Sequence, residues 1–430
     1  MNIAVIGGGY AGMAAAVTLA DAGVPITVFE AGPHLGGRAR RVVVNGVALD
    51  NGLHILVGAY RETLRLLHKT RTMPGDDLLM RLPLDWQVHR RFRLKAASLP
   101  APLHLAIGLL TTRGAPWRER IAAARFMRAM RAAKFRLARD SSVSALLAAH
   151  AQGPAFTRYL WAPLCLAALN TPPSIASAQV FLNVLRDGLD GARAAGDVLL
   201  ARVDLTALFP EPAADYVRRL GGRVVTGRRV EAIEHDGDGV LVKTAGAAER
   251  YSHAICAVAP HHAAALLSGI PALAGTAQAL ERLRYQPIYS VYLQFAAPVR
   301  LPAPMLGISG IAHWVFDRDA ICGQRGLLGA VISGEGAHQD LTQDDLARAV
   351  HADLEREFGP LPALAWHRVI AEKRATFECA VGLERAANRT ALSHVHLAGD
   401  YTESEYPATL EAAVRSGIAA AQQVLESTRS

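Results

Sequence analysis

Hydrophobic positions in the first thirty residues fall into two short apolar runs separated by a glycine turn and a helix of small residues. Ile3, Val5 and Ile6 form the continuous apolar run of a parallel strand buried on both faces. The pattern from Ala11 to Ala22 predicts a helix stopped at Gly23. Pro25 to Phe29 predicts a second strand, closed by Glu30. Apolar runs either side of Asn45-Gly46 predict a hairpin, and an amphipathic helix follows from Tyr60 to about His68. Further on, Ile121, Phe126, Met127, Met130, Phe135 and Leu137 recur at helical spacing, so amphipathic helices are expected there. Pro212 to Leu220 reads as a helix, and Arg223 to Thr226, Arg228 to Glu234, Val240 to Lys243 and His253 to Val258 read as strands. From Tyr285 the aromatic and β-branched alternation predicts an antiparallel sheet, interrupted by a helix from about Gln343 to Phe358. Val395 to Asp400 is a last strand, and a helix runs from near Thr409 to about Leu425.

Composition sharpens this only a little. A chain of 430 residues is long for one core, so two domains are expected. Hydrophobic residues make up 51% and charged residues 20%, the balance of a globular and somewhat apolar protein. The net charge of +8 points to an anionic partner. Nucleic acid is not expected, because no zinc spacing, recognition motif or aromatic-basic platform accompanies the charge. The basic residues cluster instead among the amphipathic helices, at Arg113, Arg118, Arg120, Arg125, Arg128, Arg131, Lys134, Arg136 and Arg139. An anionic membrane surface is the partner that suits such helices; an ordinary solvated helical face is the plainer alternative. Cys165, Cys256, Cys322 and Cys379 are widely spaced, which argues against a disulfide framework or a metal site and fits a reducing compartment. With no apolar leader before the first strand, the expected location is cytoplasmic, at the inner membrane face.

The chemistry begins at Gly7, Gly9 and Gly12, a G-x-G-x-x-G set between strand and helix. One glycine allows the turn, one lets backbone approach a pyrophosphate, and one lets helix and strand pack closely. Tyr10 and Ala11 open the helix, whose free N–H groups and dipole favour phosphate. Glu30, at the end of the second strand, can accept hydrogen bonds from a ribose. Gly36-Gly37 gives a second close backbone approach, and Arg38 offers a bidentate donor to phosphate.

The pattern from Gly7 to Arg38 resembles the FAD-binding start of the flavin amine oxidase and phytoene desaturase superfamily. Asp50-Asn51-Gly52, His54-Ile55-Leu56 and Gly58 to Leu64, together with Trp161, Pro163-Leu164-Cys165 and Ala168 to Pro172, resemble its squalene-associated branch, the hydroxysqualene dehydroxylases of hopanoid pathways. The C-terminal Gly399-Asp400 and Pro407 to Gly417 extend the resemblance over nearly the whole chain.

The resemblance implies a two-domain α/β, Rossmann-like flavoprotein with FAD as cofactor and no metal. The FAD domain would consist of residues 1–66, 206–280 and 385–430. The inserted substrate domain would have a helical, membrane-facing part (67–205) and a sheet (281–384). Asn51, Gly52, Leu53 and His54 would pass beside the flavin, backbone at Val230 would hold the adenine, and Gly399 and Asp400 would contact the pyrophosphate–ribityl region. The helix starting near Thr409 and Leu410 would face the flavin pyrimidine. Trp161, Leu164, Cys165 and Asn170 would wall an apolar substrate channel; as a nucleophile Cys165 has nothing near it in sequence to lower its pKa, and buried packing is the plainer reading. His54 is the candidate proton donor, with Glu403 and Glu405 behind it; a satisfied structural histidine and exposed loop acids are the plainer readings.

The implied activity is reductive removal of the hydroxyl of hydroxysqualene, a hydrophobic C30 isoprenoid, to give squalene, with contact to squalene-synthase-like pathway enzymes. Desaturation of a phytoene-like polyisoprenoid, and a flavin-binding assembly protein without catalysis, remain open at this point. An amine site is disfavoured: only Tyr401 and Tyr406 flank the C-terminal motif.

Overall fold

The structure, a computed structural model, describes residues 1–71 and 78–427. Residues 72–77 and 428–430, which belong to the expected 67–205 and 385–430 segments, lie outside the described residues. Five parallel strands form the central sheet, in the spatial order Arg223–Val225, Ile26–Phe29, Ile3–Ile6, His253–Cys256 and Val395–Leu397. Ile3 lies opposite Ile26 on one side and His253 on the other. The strands come from three distant stretches of chain, so this unit is discontinuous. All four residues of Ile3–Ile6 and of Ile26–Phe29 are buried, as a strand covered on both faces requires.

The helix Tyr10–Asp21 packs on this sheet beside the C-terminal helix Leu410–Ser427. Their backbones nearly touch: a Cβ on Gly417 would stand 2.0 Å from the Ala11 carbonyl oxygen. Glu411, fully buried, accepts from the Glu62 and Thr63 N–H groups and the Thr63 hydroxyl, and so caps the helix Arg61–Thr70.

A second sheet of seven strands contains Leu364–Phe377, Tyr285–Phe295, Leu327–Ser333, Trp314–Asp317 and Met305–Gly307, in that spatial order, antiparallel as expected. One face, with Val291 and Leu293, packs against Leu346, Val350 and Leu354 of the helix Gln343–Phe358. Ile288, Trp314, Phe316 and Val331 point from the other face into the large cavity.

The stretch 67–205 departs from its helical expectation. Asp85–Val88 and Phe92–Lys95 extend the seven-stranded sheet, and Leu79–Leu82 pairs with Val198–Ala201. Phe92 and Leu94 are buried while Arg93 and Lys95 are exposed, a period-two alternation in a short segment that the arginine-rich surroundings obscure. The remainder is helical, including Leu103–Leu110 and Trp117–Ala132. No helix among the described residues is long and apolar enough to cross a membrane.

Candidate active site

One cavity of about 1360 Å³ runs between the two sheets. Small-ligand sites measure roughly 300–1,000 Å³, so there is room for a large cofactor and a second molecule. Its walls differ sharply along its length.

At one end the wall is glycine backbone. Gly7 (φ 111°) donates its N–H to the Phe29 carbonyl, and a Cβ there would meet the Ala257 oxygen at 2.6 Å. Gly36 (φ 117°) donates to the Gly8 carbonyl, which lays the second glycine pair alongside the first. A Cβ on Gly9 would meet nothing nearer than the Gly37 Cα, 3.8 Å away, so both backbones lie open to the cavity. The helix beginning at Tyr10 has no side-chain cap, which leaves its first-turn N–H groups to a ligand. Glu30 accepts from Gly8 N–H and Gly32 N–H, both at 2.8 Å, which fixes a carboxylate in the wall. This surface fits a dinucleotide: bare amides for phosphate and an acid for ribose.

Gly7, Gly9, Tyr10, Ala11, Glu30, Gly36, Gly37 and Arg38 all line the cavity. So do Asn51, Gly52, Leu53, His54, Val230, Gly399, Asp400, Thr409 and Leu410. Gly12 is not in the wall. A Cβ on it would stand 1.9 Å from the Gly7 oxygen, so its lack of a side chain serves the crossing of turn and helix. Arg38 is already engaged, donating from Nη1 to the Ala375 carbonyl (2.6 Å) and from Nη2 to Asp400 Oδ1 (2.5 Å). Its guanidinium therefore has less freedom for a bidentate phosphate contact than its sequence position suggests. Asn51 donates to the Arg38 carbonyl and to Glu372, and Thr409 Oγ1 accepts from Ala412 N–H to cap the C-terminal helix.

Beyond this end the wall becomes apolar. Trp86 and Trp314 meet edge to face, their centroids 4.7 Å apart. The Trp86 indole N–H is satisfied by the Tyr159 carbonyl and that of Trp161 by Gln152, so both rings offer hydrocarbon to the cavity. Leu105, Leu109, Met127, Leu160 and Leu164 continue the lining. Two π-helical turns, Thr157–Trp161 and Arg186–Asp190, contribute residues to the wall, a distortion frequent at functional sites.

Trp161, Leu164 and Asn170 thus line the apolar region, but Cys165 does not. It is fully buried on the other side of its helix, its thiol donates to the Thr171 carbonyl, and burial pushes its pKa up to about 12. It is a packing residue. Glu403 and Glu405 are exposed and outside the cavity, and Glu405 pairs with Arg186 at 3.0 Å. His54 is in the wall, and its Nδ1 lies 2.7 Å from the Gly52 carbonyl. Since a carbonyl only accepts, Nδ1 carries the proton. Burial, and to a smaller degree the Arg38 charge, lower the His54 pKa, so the ring is neutral at pH 7.

Trp86, Leu105, Leu109 and Trp314 are cavity residues that the sequence pattern does not single out. The same holds for the basic rim of Arg228, Arg229, Lys373 and Arg374. Only the alternation around Trp86 could have marked any of these in advance.

Comparison with known proteins agrees with this geometry. The family model described as flavin containing amine oxidoreductase matches residues 10–425. Among curated proteins, the chain is 30% identical to a hydroxysqualene dehydroxylase of Rhodopseudomonas palustris, over 100% of this chain and 99% of that one. It is 26% identical to a hydroxysqualene dehydroxylase of Zymomonas mobilis, over 98% of each. Among solved structures, an oxidoreductase from Methanosarcina mazei is similar with a TM-score of 0.75 at 14% identity, covering 98% of this chain and 100% of that one. Cyclohexylamine oxidase from Brevibacterium oxydans is similar with a TM-score of 0.69 at 19% identity, covering 100% and 99%. At these identities the structural likenesses concern the fold alone. The protein is an FAD-dependent oxidoreductase, and the chain belongs to the flavin containing amine oxidoreductase family.

Proposed function

We propose that this protein reductively removes the hydroxyl of hydroxysqualene to give squalene. The observation that carries this reading is the single cavity joining a glycine-walled dinucleotide end to a long aromatic and aliphatic chamber. Full-length similarity to hydroxysqualene dehydroxylases supports the choice of substrate. When bound and reduced, the flavin supplies a hydride from N5. In the net change the C–O bond breaks, a C–H bond forms, the flavin is oxidised and the oxygen leaves as water with one added proton.

The chain's own residues have three tasks. Trp86, Trp161, Trp314 and the leucines around them exclude water, which would otherwise add back to an allylic cation. The glycine backbones and the Arg38–Asp400 pair hold the cofactor end. His54 is assigned the proton that leaves with the hydroxyl. Its Nε2 has no partner among the described residues, and it must first take up a proton from water to act as an acid.

The way in is assigned to the helix Leu103–Leu110. Leu105 and Leu109 line the cavity, while Leu103, Ile107 and Leu110 are exposed on the opposite side. Leu99 and Trp117 are also exposed, Trp117 by 64%, and exposed Arg113, Arg118, Arg125 and Arg128 follow along the chain. Apolar side chains bordered by positive charge suit an anionic bilayer surface, from which a lipid would pass into the cavity.

The reading is tested by reducing the holoenzyme with dithionite under anaerobic conditions, removing excess reductant and adding hydroxysqualene. Flavin reoxidation with one equivalent of squalene is the expected result. No reoxidation, or a more unsaturated product from oxidised enzyme, would replace it with the assembly-protein or the desaturase alternative respectively.

A further inference from the structure

Asp187 lies in the π-helical turn Arg186–Asp190 that ends the helix Ala178–Leu185. It is in the cavity wall, and its side chain keeps 24% of its surface exposed. Its neighbours in the wall show where along the cavity it stands. Val184 and Leu189 flank it in sequence and belong to the apolar lining. Asp187 Oδ2 accepts the Tyr406 hydroxyl at 2.8 Å. Tyr406 is itself in the wall and leads through Pro407 and Thr409 into the helix Leu410–Ser427, which packs against Tyr10–Asp21 at the cofactor end. The hydrogen bond therefore joins the two regions of the cavity at this carboxylate.

The other carboxylates in the wall are committed elsewhere. Glu30 holds the Gly8 and Gly32 N–H groups, Glu372 accepts from Asn51, Asp400 pairs with Arg38, and Glu231 follows Val230. Among the described wall residues, Asp187 is the one acid that comes from the apolar side. Burial opposes its charge, but hydrogen bonds from Arg186 and Tyr406 outweigh it and hold the Asp187 pKa below the ordinary carboxylate value. Arg186 meets the carboxylate through Nε at 2.7 Å and Nη2 at 3.1 Å. Nη2 also reaches Glu405 at 3.0 Å, and the Glu405 side chain is 61% exposed. Neither Arg186 nor Glu405 is in the wall, so the guanidinium stands behind Asp187, towards solvent. Two carboxylates share that one guanidinium, and Arg415, stacked 4.9 Å from the Tyr406 ring, is paired with Glu411. The group as a whole keeps a net negative charge.

We propose that Asp187 is a catalytic residue whose carboxylate stabilises the positive charge formed at the allylic carbon of the substrate. As the C–O bond breaks, its electron pair leaves with the oxygen, which takes the proton and departs as water. The carbon is cationic until a hydride closes the C–H bond. Asp187 forms no bond and gives up no proton. It supplies a fixed negative charge where positive charge develops, in an apolar chamber where such a charge acts strongly. Hydrogen bonds from Arg186 and Tyr406 occupy both of its oxygens, which holds it as a charge rather than as a nucleophile. For the identity of the substrate this rests on the function proposed above. Loss of hydride from a polyene, the desaturase direction, would pass through a cation of the same kind.

The test titrates oxidised holoenzyme at pH 7 with squalene and with an aza analogue in which a protonated amine nitrogen replaces the carbinol carbon. The visible absorbance of the bound flavin reports binding. The ammonium ligand is expected to bind about tenfold more tightly than squalene. Asp187→Asn keeps the shape and can still accept from Tyr406, and it should bring that ratio close to one. A wild-type ratio near one overturns the proposal. So does a variant that weakens both ligands alike, or loses FAD, while keeping the ratio, since either marks a merely structural role. Tyr406→Phe retains the carboxylate and should retain the preference. Loss of the preference in that variant but not in Asp187→Asn would assign the cation to the tyrosine ring instead. In single turnovers of reduced holoenzyme, Asp187→Asn should slow reoxidation about a hundredfold with little change in hydroxysqualene affinity. Should reduced enzyme fail to convert hydroxysqualene while the preference that depends on Asp187 remains, the reaction falls and the cation site stands. Turnover that Asp187→Asn leaves at wild-type speed has the opposite meaning: the reaction stands and the role of Asp187 falls.

Discussion

Arg38 and Asp400, 362 residues apart in sequence, meet in an ion pair of 2.5 Å on the wall of the cavity. Asp400 follows the last strand of the central sheet and is buried, and the Arg38 backbone continues from the second glycine pair. The pair therefore ties the glycine-rich start of the chain to its end. Arg38→Ala leaves a buried carboxylate without its cation, a cost of roughly 3 kcal/mol or more when a pair is fully buried and less here, where the arginine is partly open to the cavity. We expect the variant to be purified with little bound FAD. Flavin absorbance relative to protein absorbance measures this, and wild-type loading would rule the pair out as part of the cradle.

The two glycines of the opening turn make opposite predictions. Gly12→Ala would put a Cβ 1.9 Å from the Gly7 oxygen, so the fold itself should suffer, with a loss of several kcal/mol. Gly9→Ala meets nothing within 3.8 Å except Gly37 backbone. Its apoprotein should melt within a few degrees of wild type while FAD affinity falls at least tenfold. Thermal melts with and without added FAD separate the two, and equal behaviour would contradict the assignment.

A histidine cluster at the other end of the central sheet sets an acid limit. His253 lies 5.2 Å from His394 and 6.3 Å from His396, centroid to centroid. Burial, then the neighbouring imidazoles, lower the His253 pKa to about 4. A histidine with a folded-state pKa below its unfolded value of 6.5 binds protons more readily when the chain unfolds. Its contribution is neutral above pH 6.5, and stability is lost as pH falls from there towards 4, by up to about 3 kcal/mol. His253→Gln should flatten the slope of Tm against pH in that window, and an unchanged slope would remove His253 as its source.

If His54 supplies the proton, single-turnover reoxidation should accelerate as pH falls below 6.5, because its lowered pKa leaves little imidazolium at pH 7. His54→Gln should be slower and independent of pH over that range. A wild-type profile already flat between pH 5 and 8 would assign the proton elsewhere.

Vesicle sedimentation addresses the exposed helix. Leu103→Asp together with Ile107→Asp should abolish binding to anionic vesicles and slow turnover of vesicle-borne substrate, with detergent-dispersed substrate turned over normally. Equal sedimentation of variant and wild type would reduce the patch to an ordinary surface.

Much of the cofactor end was legible because its constraints are local. Gly7, Gly9, Glu30, Gly36 and Gly37 sit on a strand–turn–helix–strand whose spacing fixes where each must fall, and the strands Ile3–Ile6 and Ile26–Phe29 emerge within a residue of expectation. The substrate end was less so. Trp86 and Trp314 become neighbours only when strands over 200 residues apart join one sheet, and no periodicity within either segment encodes that pairing. Cys165 shows the complementary failure: membership of an apolar helix says little about which side meets the cavity. Arg38 was identified as a donor, but its partner among the protein's own groups lies 362 residues away, beyond local pattern.

The close contact of Gly417 with Ala11 bears on how the protein is made. The helix Tyr10–Asp21 has a close backbone neighbour in Leu410–Ser427, about 400 residues later, and the edge strand Val395–Leu397 joins the sheet almost as late. During synthesis the opening turn is exposed for hundreds of residues before Asp400 leaves the ribosome. A chain that has not yet reached Asp400 therefore lacks the partner of Arg38 and part of the cavity wall, and cannot hold a flavin as the folded protein does.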